Sequence, residues 1–182
     1  DKEAIKILKK KKNVRIIDAS NLKLKKVHNL ISNFDTLIFQ SSDNKIVTKE
    51  SLKIVSKRKP SKKTLDNLIF AFNVCRNVKS NAIVLTKNET TVGIGSGQAS
   101  RLDSCKIAIE KMNKFQNIGE KDEIVAASDA FFPFIDGIEL LVQSGISAVI
   151  QPSGSIRDKE IIKFANQTNT ILVFSNTRHF KH

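Results

Sequence analysis

The chain has 182 residues, 40% of them apolar, which is enough for one or two compact units with a core. No apolar run approaches the roughly 20 residues of a membrane-spanning helix, and no apolar segment follows the basic residues 9–12 as in a secretory signal. The two cysteines, Cys75 and Cys105, lack metal-ligand spacing and are expected to be buried thiols. This composition predicts a cytoplasmic protein without a membrane partner.

The net charge of +13 is confined to one part of the chain. Residues 1–80 hold 20 Lys and Arg against 7 Asp and Glu, whereas residues 81–182 hold 11 of each. Such a basic region attracts polyanions, so a basic nucleic-acid-binding module is the alternative function. A Lys-rich, solvated surface explains the charge as well, and no aromatic residues for base stacking lie among the basic clusters. Nucleic acid is therefore not expected as a partner.

The first part of the chain predicts short elements. Residues 2–12 have a helical apolar pattern, and residues 14–17 are typical of a buried strand. Residues 36–39 and 45–47 predict two strands separated by turn residues, and residues 52–55 alternate like a half-exposed strand that ends before Pro60. Apolar residues then recur at helical spacing, which predicts a helix over 62–78.

From residue 82 onward, strands and helices alternate. The pattern predicts strands over 82–85, 90–95, 124–127, 147–151 and 170–174, and helices over 99–114, 136–144 and 157–167. The first two strands form a hairpin, and right-handed crossovers make the last three parallel. The order predicts an α/β fold with a mixed sheet and helices on both faces.

Loops that follow parallel strands converge on one edge of a sheet, where α/β proteins bind ligands. The run 127–137, ASDAFFPFIDG, follows such a strand and brackets three Phe with two carboxylates. Taken alone, it is explained by Phe burial and helix capping, with Phe132 and Phe134 as core and Asp129 as a structural anchor. The other loops at this edge favour a ligand site that includes Phe131 and Asp136.

A glycine loop, residues 95–101, precedes the next helix. Its glycines are expected to let the backbone approach a ligand, and Ser100 is expected to cap the helix. Arg101 is unfavourable at a helix N-terminus, which indicates that it faces an anionic or carbonyl group. The loop over 151–158 repeats the pattern of small residues and a hydroxyl cap before a helix.

Five segments together resemble one enzyme family. They are VKSNAIV (78–84), TVGIGSGQASR (91–101), ASDAFFPFIDG (127–137), IQPSGSIRD (150–158) and RHFKH (178–182). Their order and type resemble the C-terminal part of the AICAR transformylase/IMP cyclohydrolase family, and residues 57–61, KRKPS, are similar to its Lys-Arg-x-Pro-Thr motif. The resemblance covers nearly the whole chain and is strongest from residue 78.

The resemblance implies a cytidine-deaminase-like three-layer fold with a mixed sheet, plus the end of a preceding similar unit. Residues 1–77 would be the end of the first transformylase subdomain with a connecting helix, and residues 78–182 the second subdomain. The implied reaction transfers a formyl group from 10-formyltetrahydrofolate to AICAR in purine biosynthesis, within a protein that is also an IMP cyclohydrolase.

The resemblance also implies site residues. Asn81, Arg101, Phe131 and Arg178 match positions that contact AICAR, and Leu102, Asp136, Ser155 and Ile156 match positions that contact the folate. It further implies a monovalent cation such as potassium near Asp129 and His182. No zinc is expected, because the zinc deaminase signature is absent. His28, His179 and His182 are each expected to be structural.

The sequence departs from the family in three ways. Ile135 stands where the family has Arg, and the family's catalytic Lys-His pair and cyclohydrolase domain are missing. No catalytic residue is therefore expected in this chain, which would be an inactive fragment of an enzyme whose sites lie at a homodimer interface.

Overall fold

A computed structural model describes residues 2–22, 28–114 and 123–181. Its contacts divide the chain into two compact units, Asp1–Ser42 and Asp43–His182. The proposed boundary between residues 77 and 78 refers to the subdomains of the family and stays a prediction. The basic residues 23–26 and the terminal His182 lie outside the described residues.

The first unit contains one short helix and one hairpin. Helix α1 covers Lys2–Leu8, and strand β1 (His28–Asn33) pairs antiparallel with β2 (Thr36–Ser41). The strand predicted over 14–17 is wrong, because that segment is irregular. Strand β1 escaped prediction because its exposed sequence, HNLISN, has two adjacent apolar residues and no apolar alternation.

The second unit is built on a six-stranded sheet of order β3-β8-β7-β6-β4-β5. Strands β6, β7 and β8 are parallel, whereas β3 and β4 run antiparallel to their neighbours, which confirms the predicted mixed sheet. The strands are β3 (Leu52–Ile54), β4 (Ile83–Lys87), β5 (Thr90–Gly95), β6 (Ile124–Ser128), β7 (Ala148–Pro152) and β8 (Ile171–Ser175). The helices are α2 (Lys62–Cys75), α3 (Arg101–Asn113), α4 (Ile135–Gln143) and α5 (Asp158–Gln167).

Two apolar cores lie on opposite faces of this sheet. Helix α2 packs Leu68, Phe72 and Cys75 against one face, where Val84 and Val125 are fully buried. The other face is covered by α3, α4 and α5 through residues such as Cys105, Ile138, Leu141 and Ile161. The predicted helices on both faces are confirmed, and the three layers fit a cytidine-deaminase-like fold.

The strand predicted over 45–47 is wrong. Residues 42–48 are irregular, and the Asn73 side chain on α2 takes the place of a strand partner. Its amide oxygen accepts from the backbone N–H of Val47 at 3.0 Å, and its amide nitrogen donates to the Val47 carbonyl at 3.1 Å. A side-chain amide can in this way bind both the N–H and the C=O group of one residue, which then needs no hydrogen bonds to a neighbouring strand.

The strand directions bring several loops together. Because β5 is antiparallel to β4, and β4 is antiparallel to β6, strand β5 points the same way as β6, β7 and β8. The C-terminal ends of these four strands and the N-terminal end of β4 therefore meet at one edge of the sheet, which we call the carboxyl edge. The predicted convergence of loops is confirmed.

Two glycines of β5 have a different purpose from the expected one. A Cβ at Gly93 would lie 2.1 Å from the Ala108 carbonyl oxygen, and one at Gly95 would lie 1.9 Å from the Ser104 carbonyl oxygen. These glycines let helix α3 approach the strand, so at Gly95 the close neighbour is this helix and not the expected ligand. The close packing brings the N-terminus of α3 to the carboxyl edge.

Candidate functional site

A cavity of about 450 Å³ opens at the carboxyl edge. We call it the edge cavity. It gathers six of the eight predicted substrate-contact residues, and Ser155 and Ile156 lie outside it. The lining residues are Asn81, Ala99, Ser100, Arg101, Leu102, Ala130, Phe131, Phe132, Pro133, Phe134, Asp136, Gly137, Arg178 and Phe180.

Arg101 is held at the base of the cavity by a buried network. Its Nη1 donates to Ser128 Oγ at 2.8 Å and to the Asp129 carboxylate, and its Nη2 donates to Asn81 Oδ1 at 2.9 Å. The Asp129 side chain is 0% exposed and that of Arg101 is 8% exposed. The predicted anionic partner of Arg101 is thus Asp129, which acts as the expected anchor. Three of the five guanidinium donors are used, which leaves two for a ligand.

Asn81 connects the glycine loop to this network. Its amide nitrogen donates to the carbonyls of Gln98 and Ala99 at 3.1 and 3.2 Å. Its backbone carbonyl accepts from Ser104 Oγ at 2.7 Å. Because both amide protons are taken, Asn81 can offer a ligand only the second lone pair of Oδ1.

Helix α3 begins as the sequence predicts. Ser100 is its N-cap, and the Ser100 hydroxyl accepts from the backbone N–H of Asp103 at 3.2 Å. This cap fixes the first turn of α3, from which Arg101 and Leu102 reach the cavity. Leu102 is half-buried and adds an apolar wall.

An arginine lies against an aromatic ring in the lining of the cavity. The guanidinium carbon of Arg178 lies 4.8 Å from the centroid of the Phe131 ring, which is cation–π distance. Arg178 is exposed, and it makes no ion pair with any carboxylate among the described residues. An unpaired cation beside a ring face is an arrangement that binds anions.

Asp136 lies in the first turn of α4 and is exposed. One of its carboxylate oxygens accepts from the backbone N–H of Gly137 at 2.7 Å, which leaves the other for a ligand. Gly137 is required here, because a Cβ would come within 2.7 Å of the Phe132 ring. Phe132 is 1% exposed and confirms its assignment to the core.

Phe134 was expected in the core, but its side chain is 53% exposed. It is the N-cap of α4 in extended conformation, and Arg157 lies over its ring at 4.9 Å from the centroid. The helix start turns this side chain away from the sheet and onto the cavity rim. Period alone could not reveal this, because 131–134 lie in no regular element.

The loop after β7 lies beside the cavity without lining it. Ile156 is fully exposed at 103%, and Ser155 is half-buried. The expected hydroxyl cap of α5 is wrong, because its N-cap is Arg157 and forms no side-chain cap bond. The Asp158 carboxylate instead closes the loop by accepting from the N–H groups of Gly154 and Ser155 at 2.8 and 3.3 Å.

The segment 178–181, which we call the tail, is docked at the carboxyl edge. The Lys181 carbonyl accepts from the Ser80 N–H at 2.9 Å, and the Lys181 N–H donates to Ser80 Oγ at 3.0 Å. Phe180 lines the cavity, although sequence reasoning did not assign it to the site. The signal available in the sequence was an aromatic residue within an otherwise polar terminal segment.

The two cysteines are buried as thiols, and the described histidines pack against aromatic rings. Burial raises the pKa of the Cys105 thiol to about 12, and burial also raises the pKa of Cys75 well above its ordinary value. Among the described residues, no three His, Cys, Asp or Glu side chains gather as metal ligands. His179 is buried against Phe72, and His28 stacks on Phe39, as structural histidines do.

The layers and the edge cavity define a class, the three-layer α/β proteins that bind ligands at the carboxyl ends of their strands. Within it, residues 1–111 match the model of the AICARFT/IMPCHase bienzyme family, and the chain belongs to that family. This confirms the resemblance drawn from the motifs.

The chain is similar to curated proteins named bifunctional purine biosynthesis protein PurH. It is 44% identical over 177 residues to that of Chlorobium phaeobacteroides strain BS1, which covers 97% of this chain and 33% of the relative. It is 44% identical over 183 residues to that of Buchnera aphidicola from Schizaphis graminum, covering 100% of this chain and 35% of the relative. The chain thus spans about a third of the length of these relatives.

No helix in the described part of the chain is both long and apolar enough to cross a membrane.

Proposed function

We propose that this chain supplies the AICAR- and folate-binding part of a formyltransferase of purine biosynthesis, within a longer protein that also has IMP cyclohydrolase activity. The observation that carries the proposal is the edge cavity, which Arg101 and Arg178 both line. The relatives' names, which describe a bifunctional purine biosynthesis protein, support it.

The nucleotide phosphate is proposed to bind Arg178. A guanidinium donates two parallel hydrogen bonds to phosphate oxygens, and Arg178 has no competing carboxylate among the described residues. The Phe131 ring, 4.8 Å from this guanidinium, limits its orientation. The cavity volume of about 450 Å³ is within the range that holds one small ligand.

The carboxamide of AICAR is proposed to bind deeper, at Arg101 and Asn81. The carboxamide oxygen would accept from the free donors of Arg101, and its N–H would donate to Asn81 Oδ1. The buried Asp129 keeps Arg101 in place while leaving these donors available. This arrangement gives directional recognition of a neutral amide, which offers both a donor and an acceptor.

The folate is proposed to lie across the rim. Leu102 and Phe134 offer apolar surface there, and the unshared oxygen of Asp136 can accept from adjacent ring N–H donors. Contacts with Ser155 and Ile156 require the ligand to extend beyond the cavity, past Arg157 and Phe134. A fully exposed Ile156 is consistent with a position that a ligand covers.

The proposed reaction forms a bond between the AICAR amine nitrogen and the formyl carbon, and breaks the bond between that carbon and folate N10. The amine loses a proton and N10 gains one. The described residues that line the cavity include no His, Lys or Cys, and the role proposed for them is to orient the two substrates. Proton transfer is assigned to the family's Lys-His pair, outside this chain, at a site that a homodimer completes.

A monovalent cation such as potassium is proposed near Asp129. Among the described residues, the buried second carboxylate oxygen of Asp129 has no hydrogen-bond partner, and neither has the hydroxyl of Thr177 in the segment that leads to the tail. Both are oxygen donors of the kind that hard cations bind, so these residues fit the ion. Comparing nucleotide affinity in potassium and in a bulky organic cation tests this, and equal affinity contradicts it.

We also propose a cytoplasmic location, since Cys75 and Cys105 are both free and buried, as in proteins of reducing compartments.

The proposal is tested by calorimetric titration of the 182-residue chain with AICAR nucleotide. We expect binding that Arg178→Met weakens about 100-fold, because a charge-assisted bidentate contact is lost. Arg157→Met is the matched control, since Arg157 is an exposed arginine that pairs with Glu160 outside the cavity. A formyl-transfer assay should show no turnover by the chain beside a full-length family member.

Two results contradict the proposal. Equal weakening by both arginine substitutions would show that the attraction is non-specific charge, and tighter salt-sensitive binding of nucleic acid than of nucleotide would favour the basic-module alternative. Robust turnover by the chain alone would refute the claim that its catalytic pair lies elsewhere.

A further inference from the structure

The side chains of the tail point alternately to opposite sides. Arg178 and Phe180 both line the edge cavity, whereas His179 between them is 1% exposed. The tail belongs to no regular element, but neighbouring side chains that alternate between two sides follow the period of two that extended chain has. Whatever holds His179 on the inner side therefore also directs its two neighbours into the cavity.

Three contacts hold His179. Its Nδ1 hydrogen-bonds to Asp43 Oδ2 at 2.5 Å, and its ring lies 4.9 Å from that of Phe72. Its backbone N–H donates to the Asp129 carbonyl at 3.0 Å. The other ring nitrogen, Nε2, is buried without a partner, so Asp43 is the one polar group among the described residues that orients the ring.

Helix α2 supports both partners of His179. Phe72 is part of this helix and is fully buried. The next residue, Asn73, exchanges two hydrogen bonds with the backbone of Val47, which ties the segment after Asp43 to the same helix. The imidazole thus lies between Phe72 of α2 and Asp43, and Asp43 begins the segment that α2 binds at Val47.

The attachment of the tail at Ser80 does not determine which way the Arg178 and Phe180 side chains point. The bonds between Ser80 and Lys181 fix the end of the tail, three residues beyond Arg178. They involve the backbone of Lys181 and leave the direction of the preceding side chains open. The Lys181 ammonium also donates to the Asn77 carbonyl at 3.2 Å, but this contact is exposed.

We infer that His179 is a positioning residue, which, bound by Asp43 and Phe72, holds Arg178 and Phe180 in the edge cavity before a ligand arrives. Its benefit for substrate binding rests on the proposed function. A ligand then meets a guanidinium that is already in place over Phe131. Each side chain that must instead be ordered on binding lowers the affinity several-fold. If Arg178 and Phe180 are both no longer held in place, we therefore expect a Kd about ten-fold higher.

The test uses four single variants of the 182-residue chain. Asp43→Ala removes the polar partner of His179. The Asp43 side chain is 34% exposed, so its loss leaves the core filled. His179→Asn keeps an N–H donor near the position of Nδ1, whereas His179→Gln places it near Nε2, away from Asp43. Lys181→Ala is the control, because it removes the exposed tether and leaves the backbone bonds of the tail.

Two readouts are measured on each variant. The first is the NMR resonance of the Arg178 Nε–H, which the ring current of Phe131 should shift upfield. This resonance is assigned by its loss in Arg178→Lys. The second is the Kd for AICAR nucleotide. We expect Asp43→Ala and His179→Gln to lose the ring-current shift and to raise the Kd about ten-fold, with His179→Asn and Lys181→Ala close to the parent chain.

The outcomes separate this inference from the proposed function. If the parent chain does not bind the nucleotide, the proposed function fails, and the Arg178 resonance still decides the role of His179. An unchanged Arg178 resonance in folded Asp43→Ala would overturn the inference. Unfolding of Asp43→Ala would overturn it as well, because the pair would then be a requirement of the core.

Discussion

Replacing Asp129 by Asn should destabilise the second unit more than any surface substitution. The Asp129 side chain is 0% exposed and carries the charge that balances Arg101, whose side chain is 8% exposed. Asn has nearly the same shape, so the variant leaves a buried guanidinium without its anion. Breaking a buried ion pair in this way costs about 3–5 kcal/mol of unfolding free energy.

This loss should lower the melting temperature by about 10–15 °C, given the usual relation between free energy and melting for units of this size. The chain has no Trp or Tyr, so urea and thermal unfolding are followed by far-UV circular dichroism. Glu110→Gln is the control, because the Glu110–Lys114 pair is 64% and 74% exposed and solvent screening should leave it with little effect on stability.

A double-mutant cycle identifies the cause of the loss. Arg101→Met alone leaves a buried carboxylate unpaired, whereas the double variant with Asp129→Asn leaves no buried charge. The double variant should therefore cost less than the sum of the two single variants by about 2–3 kcal/mol. Additive costs, or a loss below about 1 kcal/mol for Asp129→Asn, would refute the reasoning.

Three further perturbations have expected outcomes. In urea unfolding, Gly95→Ala should lower the unfolding free energy by about 3 kcal/mol or more, because its Cβ would lie 1.9 Å from the Ser104 carbonyl oxygen. Gly145→Ala is the control and should lower it by about 1 kcal/mol, because Gly145 has φ +88° but no atom within 4 Å of the added Cβ. Ser61→Ala should cost about 1 kcal/mol in the same assay, because Ser61 caps α2 by accepting from Thr64 N–H at 3.0 Å. Raising the pH to about 10 should destabilise the parent more than a Cys75→Ala, Cys105→Ala variant, by on the order of 1 kcal/mol for each thiol.

The sign of the pH effect follows from burial. Burial raises the pKa of both thiols above the ordinary value of 9.0, to about 12 for Cys105. Their contribution to stability is complete below pH 9 and is lost as the pH rises toward the folded value, because only the unfolded state ionises. At about pH 10 the loss is on the order of 1 kcal/mol for each thiol.

Each of these predictions has a result that would contradict it. Equal stability of Gly95→Ala and Gly145→Ala would mean that α3 shifts to accommodate a methyl group. An unchanged Ser61→Ala variant would show that solvent replaces the cap. Parallel pH profiles of the parent and the double cysteine variant would show that the thiols already ionise in the folded state.

Periodicity predicted the elements whose burial is regular. The strand over 124–127 and the helix over 62–78 were found within a few residues, because β6 is buried along its whole length and α2 buries one continuous stripe. The pattern failed at β1 and at residues 14–17, where every side chain is exposed. The apolar residues in these two segments are not buried in the described structure. Their pattern therefore does not indicate whether the segment pairs as a strand.

The sequence by itself determined the family, the mixed sheet and most of the cavity, since the motif order places Asn81, Arg101, Asp136 and Arg178 at one edge. Only the tertiary structure decided what those residues already bind. Arg101 is paired with Asp129, which follows another strand 28 residues later, and His179 meets Asp43 from 136 residues earlier. Such pairings depend on how strands and helices pack, and no local pattern of residues encodes them. For the same reason, only the structure showed that the glycines of β5 make room for helix α3 and that alternate side chains of the tail point into the cavity.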